Sequence, residues 1–330
     1  MNETNILQAY KAYGYSVTKL LTPISGYRNT CYPALTDKGD INLIVYKKEA
    51  GILARIKRTN VLGAELRHRG LAVRSPADPR ILRLSQNSEL YASVYHFLPG
   101  KTIPWEAYTK KHIKLLGWVL SDFHAAAHGI ERTTFPAVTD EYTRYLARMK
   151  TYFKDSNVKK ALLQKLGLRV RYEFFGTAKT FLEAASKLPD QTILHMDLLR
   201  GNVLFDVAQS ASTYRIEDVA LTGVIDLEKA SVGHPLFDVA RTLAFLEVDC
   251  SSKSASSVRR YFIDSGYNKR GNNHVSPTSV DGLDLLVTAK QLFLMYDFYK
   301  FLRQNPYEDL LNNYHFIRTR DILLANNLLY

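Results

Sequence analysis

Hydrophobic and polar positions follow two different periodicities along the chain, and the change falls near residue 97. Before it, short apolar runs bounded by turn residues predict strands near 17–21, 31–35, 41–47, 81–84 and 90–97, with a helix over 52–68. After it, apolar residues recur at spacings of three and four and predict helices over 110–124, 140–153, 158–188 and 283–303. The patterning predicts an α+β protein with a small β-rich part, residues 1–97, and a larger, mostly helical part, residues 98–330.

The composition allows a sizeable core. The chain has 330 residues, of which 46% are hydrophobic, enough for one two-lobed domain or two small ones. Its two cysteines, Cys31 and Cys250, lie too far apart to suggest a disulfide framework or a metal-binding spacing. The first residues lack the pattern of a signal peptide, and no run approaches the roughly 20 apolar residues that span a bilayer. We therefore expect a cytoplasmic protein with no membrane partner.

A formal net charge of +12 raises the question of nucleic-acid binding. Several basic residues fall on the predicted helix 52–68, where Ile52, Ile56 and Val61 recur at helical spacing and leave the basic side chains on the solvated face. This favours an ordinary charged surface, and no nucleic-acid motif is present, so nucleic acid is an unlikely partner. A basic surface also attracts anionic nucleotides. It makes a polycationic partner less expected, unless acids converge in a pocket.

A polar motif between two apolar runs carries the clearest chemistry. His195, Asp197 and Asn202 form the pattern H-x-D-L-x-x-x-N. This is the form of a phosphotransferase catalytic loop, in which the Asp orients and deprotonates an attacking hydroxyl and the Asn holds a metal. A polar hairpin turn, with both side chains bonded to local backbone groups, has the same pattern. The next apolar run favours the catalytic interpretation because it ends in Asp226, and Mg²⁺ binds through carboxylate and amide oxygens together with substrate phosphates.

Residues 23–246 resemble small-molecule kinases of the aminoglycoside phosphotransferase and choline kinase type, which are relatives of the protein kinases. The resemblance rests on motifs in the family's order: Phe97-Leu98-Pro99-Gly100, Leu120-Ser121-Asp122-Phe123-His124, His195-x-Asp197-x4-Asn202, Val224-Ile225-Asp226-Leu227-Glu228 and Gly233-His234-Pro235-Leu236-Phe237-Asp238-Val239-Ala240-Arg241. It implies a two-lobed, protein-kinase-like α+β fold. The small antiparallel β N-lobe with one helix, residues 1–97, would bind the nucleotide. The larger helical C-lobe, residues 98–330, would hold the catalytic loop, the metal site and the acceptor pocket.

The resemblance also implies an activity and roles for individual residues. The activity is phosphorylation of a small-molecule hydroxyl, of the aminoglycoside, amino alcohol, homoserine or sugar type, by ATP (or GTP) with Mg²⁺. Asp197 is the implied base or orienting acid, Asn202 and Asp226 are the implied metal ligands, and His195 supports the loop from beneath. Asp238 receives backbone N–H groups of the loop. Glu228 either touches the metal or faces solvent.

The nucleotide side matches the family less well. The candidate phosphate turn, residues 23–30, contains Gly26 and Arg28. The resemblance places a hinge at the end of the strand 90–97, where the backbone groups of His96 and Leu98 would face adenine.

The strand 41–46 has Ile44 where the family pattern has a lysine. Lys48 shares that face of the strand but lies roughly 13 Å further along, while Arg28 offers a guanidinium suited to phosphate. The helix 52–68 offers only Glu65, near its end, as a partner acid. A catalytically weak or inactive nucleotide-binding pseudokinase with a regulatory role is therefore the alternative. The intact Asp197, Asn202 and Asp226 argue against it.

The sequence does not identify the acceptor or the oligomeric state. Aromatic residues late in the predicted helix 283–303 either wall an acceptor pocket or belong to the core: Tyr296, Phe298, Tyr299 and Phe301. Three acids, Glu247, Asp249 and Asp297, are candidates for binding an amino group of the acceptor.

Overall fold

The structure, a computed structural model, describes residues 2–26, 29–85, 90–206, 214–270, 279–280 and 282–330. The chain divides into two compact units. Unit 1 consists of the described residues within Met1–Thr102 and Asn202–Ser212, together with Ala220–Glu228. Unit 2 consists of the described residues within Ile103–Gly201, Thr213–Val219 and Lys229–Tyr330. The predicted α+β class is confirmed, with an antiparallel sheet in the first unit and mostly helices in the second.

Unit 1 is built on an antiparallel sheet with the strand order β1-β3-β4-β6-β5 and with β2 paired to β3. The strands are β1 Val17–Leu20, β2 Ile24–Ser25, β3 Asn29–Thr36, β4 Gly39–Tyr46, β5 Leu82–Arg83 and β6 Tyr91–His96. Two helices accompany them, α1 Glu3–Ala12 and α2 Ile52–His68. The bounds of α2 agree with the prediction, whereas α1 was not predicted.

Alternation along β4 gives the sheet two buried faces. Leu43 and Val45 pack with Ile6 and Tyr10 of α1 in one apolar cluster. Ile44 and Tyr46 point to the opposite face, as the period of two along a strand requires, and pack with residues of α2 in a second cluster. The sheet is therefore covered by a helix on each side.

The buried side of α2 differs from the predicted one at one position. Ile52 and Ile56 are buried as expected, but Val61 is 64% exposed. The buried surface at the middle of the helix is formed instead by Thr59, Asn60 and residues that follow them: Leu62, Gly63 and Leu66. A polar side chain, Asn60, thus lies inside unit 1.

The remaining strands are short, and several of them flank the predicted motifs. They are β7 Thr192–Leu194, β8 Val203–Asp206, β9 Tyr214–Ile216, β10 Val219–Val224, β11 Ser231–Gly233, β12 Ser279–Val280 and β13 Leu283–Asp284. In unit 1, β8 and β10 are antiparallel, with Val203 opposite Val224. In unit 2, β7 and β11 are antiparallel, with Leu194 opposite Ser231.

Helices form most of unit 2. They are α3 Lys110–Ala127, α4 Val138–Lys154, α5 Ser156–Ala161, α6 Glu173–Ala185, α7 Leu236–Asp249, α8 Ala255–Arg259, α9 Leu285–Gln304, α10 Tyr307–Leu310 and α11 Tyr314–Ala325. The single helical pattern predicted over 158–188 is wrong. It is divided into α5, a π-helical turn Leu162–Leu166 and α6, because Gly167 takes φ +65° and ends the first segment. Within the described ranges, no helix is both long and apolar enough to cross a membrane.

Candidate active site

The H-x-D motif follows β7 in unit 2 and is held by one carboxylate. Asp238, in the first turn of α7, is fully buried. Its two oxygens accept the backbone N–H groups of His195 and Met196, each at 2.6 Å. Met196 takes φ +61°, an uncommon conformation for a residue with a side chain. The two charge-assisted hydrogen bonds hold the backbone in this turn and thereby orient Asp197.

A second buried contact fixes Asp238 itself. Nε2 of His124, near the end of α3, lies 2.9 Å from the carboxylate of Asp238, and Nδ1 of the same ring lies 2.6 Å from the Tyr267 hydroxyl. Burial raises the pKa of Tyr267, and the nearby Asp238 adds to the shift. The residue at the end of the Leu120–His124 motif is thus part of the support for the loop.

His195 lies beneath the loop and is completely buried. Its Nδ1 accepts the backbone N–H of Asp197 at 3.2 Å, so Nδ1 carries no proton. Its ring packs edge-on against Phe123, with the ring centroids 5.6 Å apart. These contacts support a positioning role rather than proton transfer.

The Asp197 carboxylate faces a cation that the sequence patterns did not indicate. Nζ of Lys229 lies 2.6 Å from Oδ1 of Asp197. The Lys229 side chain remains 42% exposed, whereas that of Asp197 is 9% exposed. A partly exposed ammonium group therefore lies directly beside the proposed base.

The two implied metal ligands lie on neighbouring strand ends in unit 1. Because Val203 pairs with Val224, Asn202 and Ile225 are also adjacent, and the N–H of Ile225 donates to the carbonyl of Asn202 at 2.9 Å. Asp226 follows with φ +65°, an uncommon left-handed conformation at the end of β10. The structure thus brings the segments of Asn202 and Asp226 together.

Glu228 is buried beside Asp226 and does not face solvent. Burial raises its pKa, the neighbouring Arg74 opposes that shift, and the Asp226 carboxyl adds to it. Its Oε1 accepts from Nη2 of Arg74 at 2.6 Å, while Oε2 is buried without a hydrogen-bond partner in the described part of the chain. Although burial disfavours the charge of Arg74, the Glu228 carboxylate raises the pKa of that guanidinium well above its usual value.

The oxygen atoms near Asp226 fit a hard divalent cation. Carboxylate and amide oxygens are the ligands that Mg²⁺ takes in proteins, and a buried carboxylate oxygen without a partner calls for a positive charge. Among the described residues, no three His, Cys, Asp or Glu side chains are grouped as a metal site. A metal here would therefore depend on Asn202 and Asp226, with further ligands from outside the chain.

The predicted phosphate-binding residues are only partly described. The N–H of Gly26 donates to the carbonyl of Asn29 at 2.8 Å, next to the pairing of Ser25 in β2 with Thr30 in β3. Arg28 lies outside the described residues. Lys48 is exposed beyond the end of β4 and is not directed into the sheet. Position 44 holds a buried isoleucine, 4% exposed, so the strand presents no cation at that point.

The predicted adenine-facing residues have neighbours of their own. The backbone N–H of His96 donates to the carbonyl of Ser75 at 3.1 Å, so that group is already bonded. Burial lowers the pKa of the His96 imidazole. Leu98 packs against Gly223, where an added Cβ would meet its Cδ1 at 2.9 Å. The close approach at Gly223 keeps residue 98 next to β10, the strand that leads to Asp226.

The candidate acceptor-binding acids are all paired with cations within unit 2. Glu247 receives two hydrogen bonds from Lys290 at 2.8 Å. Asp297 forms a two-pronged pair with Arg241, at 2.6 and 3.0 Å. The carboxylate of Asp249 lies 3.2 Å from Nε2 of His315 and 3.6 Å from Nε of Arg200. Of the candidate aromatics, Phe298 and Tyr299 are buried in the core.

Sequence patterns missed two cations, Lys229 and Arg74. Lys229 directly follows the Val224–Glu228 motif, and only the strand pairing of β11 with β7 shows that it reaches Asp197. Arg74 lies beyond α2 in a segment without a recognisable motif. Its position follows from long-range backbone contacts that no local pattern reveals.

A buried aspartate that holds an H-x-D turn, and an Asn and an Asp joined at the ends of two paired strands, define a phosphotransferase with a kinase-like fold. The family model described as "Phosphotransferase enzyme family" (APH) matches residues 21–270. The chain belongs to that family and is an enzyme of the small-molecule phosphotransferase class. No curated protein matches the sequence.

Solved structures show the same fold at low sequence identity. The amicoumacin kinase hAmiN, in complex with AMP-PNP, Ca²⁺ and Ami, is 14% identical with a TM-score of 0.65 over 97% of this chain and 94% of that one. The macrolide 2'-phosphotransferase MphH from Brachybacterium faecium is 18% identical, with a TM-score of 0.54 over 92% and 95%. The GDP complex of aminoglycoside 2'-phosphotransferase-IIIa is 15% identical, with a TM-score of 0.57 over 98% and 97%. The predicted kinase-like α+β fold is confirmed.

Proposed function

We propose that the protein transfers the terminal phosphoryl group of ATP, or of GTP, to a hydroxyl group of a small molecule. One observation carries the proposal: Asp197 stands on a turn whose backbone N–H groups are bound by the buried Asp238. A carboxylate held in this way is suited to orient an attacking hydroxyl. The solved relatives named above that contain AMP-PNP or GDP support a nucleotide donor.

In the proposed reaction the acceptor oxygen attacks the terminal phosphorus while the bond to the bridging oxygen breaks, and a nucleoside diphosphate leaves. Asp197 aligns the hydroxyl and receives its proton. His195 and Asp238 keep the turn fixed, so little reorganisation is needed at the moment of transfer. Most of the acceleration then comes from positioning and from charges already in place.

Lys229 would serve the same step from beside Asp197. Its ammonium group is 2.6 Å from the carboxylate and 42% exposed, so it can also reach a phosphoryl oxygen when substrates are bound. Negative charge on the transferred group increases its attraction for such a cation.

Asn202 and Asp226 would hold Mg²⁺. When bound, the ion supplies positive charge that offsets the charge of the phosphate oxygens. The buried oxygens beside Asp226 support this assignment. We assign the nucleotide to residues 1–97, with Gly26, Arg28, Lys48, His96 and Leu98 as candidate contacts, and expect the reaction to occur in the cytoplasm, where nucleoside triphosphates are available.

The acceptor would be a small molecule whose recognition does not depend on spare acids. Because Glu247, Asp249 and Asp297 are each engaged by a cation, neutral hydroxyl compounds are better candidates than polycationic ones. The acceptor panel should therefore begin with sugars and should also include homoserine, amino alcohols, aminoglycosides and macrolides. Nucleic acid is not proposed as a partner.

A catalytically weak or inactive nucleotide-binding protein is the second candidate, and the isoleucine at position 44 favours it. The two candidates differ in turnover. A kinase consumes ATP or GTP in the presence of one acceptor from the panel, whereas a regulatory protein binds nucleotide and turns over none of them.

The test compares Asp197→Asn with the wild type. We expect phosphoryl transfer to fall by about 10²–10⁴-fold, the usual contribution of a general base, while nucleotide binding and the unfolding temperature stay near wild type. Asp155→Asn is the matched control, because that exposed residue caps α5 and Asn caps equally well. Transfer by Asp197→Asn at the wild-type rate would reject the role of Asp197.

A further inference from the structure

Arg74 and Glu228 form a buried ion pair that the proposed chemistry has not yet used. Nη2 of Arg74 lies 2.6 Å from Oε1 of Glu228, and the two side chains are 10% and 4% exposed. Burying two charges costs solvation free energy, which their attraction offsets only when the geometry is good. A pair of this kind therefore calls for a structural or functional reason.

Backbone contacts place Arg74 in register with the metal-ligand strand. The N–H of Arg74 donates to the carbonyl of Val224 at 2.8 Å, and the N–H of Val224 donates to the carbonyl of Ala72 at 2.9 Å. Val224 is two residues before Asp226. On the other side, an added Cβ at Gly63 of α2 would collide with the carbonyl of Arg74, so the helix packs directly on this segment. The position of Arg74 relative to Asp226 is thus set by the main chain.

A layer of hydrogen-bonded tyrosines supports the guanidinium. The Arg74 guanidinium lies over the ring of Tyr95, 5.2 Å from its centroid. The hydroxyls of Tyr46 and Tyr95 are 2.6 Å apart, and the Tyr95 hydroxyl donates to Oδ1 of Asn60 at 2.7 Å. Nδ2 of Asn60 donates in turn to Oγ of Ser93 at 3.2 Å. The ring of Tyr95 is fixed by this chain, and so is the plane on which the guanidinium rests.

The ion pair leaves bonding capacity on both partners. Glu228 engages one guanidinium nitrogen, Nη2, and the hydrogen bonds among the described residues leave other donors of Arg74 available to a ligand. Oε2 of Glu228 also has no hydrogen-bond partner among those residues. A pair that served only to hold the fold would be expected to use more of these groups. Spare guanidinium donors next to Asp226 are suited to phosphate oxygens.

We propose that Arg74 is the nucleotide-phosphate-binding cation of this protein, held in place by Glu228 and by the Tyr46–Tyr95–Asn60 layer. The proposal rests on the proposed function, because it assigns a phosphate contact at the same nucleotide site. The uncharged residues at positions 44 and 60 then have a physical explanation. With the cation on the segment after α2, neither β4 nor α2 needs a buried charge.

The experiment measures the affinities of ATP and adenosine for the full-length protein by calorimetry, without an acceptor. The informative quantity is the ratio of the two dissociation constants, because it isolates the contribution of the phosphates. The variants are Arg74→Met, Arg74→Lys, Glu228→Gln and the double variant Arg74→Met/Glu228→Gln. Arg55→Met is the matched control, since it breaks a pair with Glu49 in the same unit.

In the double variant we expect the preference for ATP over adenosine to fall by about 10- to 100-fold, the effect of one charge-assisted hydrogen bond. Adenosine affinity should stay within about threefold of wild type. Removing both charges avoids a lone buried carboxylate, so the double variant should unfold at a temperature closer to wild type than Arg74→Met does. Arg74→Lys and Glu228→Gln should each retain part of the preference, because the first keeps a cation and the second keeps an acceptor for Nη2 without its charge.

If the wild type binds ATP and the double variant has the same ratio of dissociation constants for ATP and adenosine, the role of Arg74 is overturned. The proposed function is not affected by that result. Equal losses for ATP and adenosine would also overturn the role of Arg74, because they would indicate a purely structural pair. If the wild type bound neither ATP nor GTP, the proposed function itself would fail, and the inference would fail with it.

Discussion

The substitution Asp238→Asn tests the support of the catalytic turn most directly. The Asp238 carboxylate accepts the N–H groups of His195 and Met196 at 2.6 Å and lies 2.9 Å from Nε2 of His124. An amide has only one acceptor oxygen, and its NH₂ group would face at least one of these donors. Hydrogen bonds to a charged group contribute about 1.5–3 kcal/mol each. Losing one of them at a fully buried site, and removing the charge from the other two contacts, should lower the free energy of unfolding by about 3–5 kcal/mol.

Thermal and urea unfolding, followed by circular dichroism, would measure this loss. A domain the size of unit 2 loses roughly 2–4 °C per kcal/mol, so we expect a decrease of about 6–20 °C in the unfolding temperature. Transfer should fall further than the unfolded fraction explains, because Met196 would no longer be held at its positive φ. Asp155→Asn should change the unfolding free energy by less than about 0.5 kcal/mol. A loss below about 1 kcal/mol in Asp238→Asn would refute the account of the turn.

Three further predictions concern single residues. Lys229→Met should lower the transfer rate by about 10- to 100-fold with nucleotide affinity unchanged, and Lys229→Arg should recover part of the rate. Equal rates for the wild type and both variants in single-turnover assays would rule out a role for this cation. Asp226→Asn should remove most of the Mg²⁺ dependence of ATP binding, so its affinity for ATP should be similar in Mg²⁺ and in EDTA. If ATP binding by the variant depends on Mg²⁺ as it does in the wild type, Asp226 is not a metal ligand. Burial lowers the pKa of His234 below its ordinary value of about 6.5, and Nδ1 of the ring accepts the N–H of Leu236. The neutral ring therefore stabilises the fold above about pH 6.5, and this stabilisation is lost as the pH falls. His234→Gln should therefore lose less stability than the wild type between about pH 7 and about pH 5 in urea titrations, and parallel curves would contradict the assignment.

Local patterns predicted much of the fold because strand and helix periods are properties of short segments. The bounds of α2 follow from its apolar spacing and from the glycine that precedes it. The pattern over 158–188 misled because an apolar spacing continues through Gly167, where the positive φ ends the helix. At α2, spacing alone could not show that Val61 faces solvent while Asn60 is buried, since burial depends on what packs against the helix.

The site shows the same division between local and long-range information. The order of the motifs pointed to Asp238 and to the pair of Asn202 and Asp226, whose segments the structure joins through the pairing of β8 and β10. The cations were not accessible in this way. Arg74 and Glu228 are 154 positions apart, and Lys229 and Asp197 are 32 apart. Contacts over such separations depend on the tertiary fold, and no short pattern encodes them.

The location of the Arg74–Glu228 pair bears on how the enzyme could be regulated. Both residues lie at the end of β10 that leads to Asp226, and the side chain that α2 contributes to the hydrogen-bonded layer below them is the neutral Asn60. A partner or inhibitor that displaced α2 would break the two neutral hydrogen bonds of Asn60, each worth about 1 kcal/mol, and the apolar contacts of Ile52 and Ile56, but it would not separate Arg74 from Glu228. Displacement of α2 would therefore act on Arg74 through its packing and not by breaking the ion pair, and control of this cation is better sought at the segment joining α2 to Arg74.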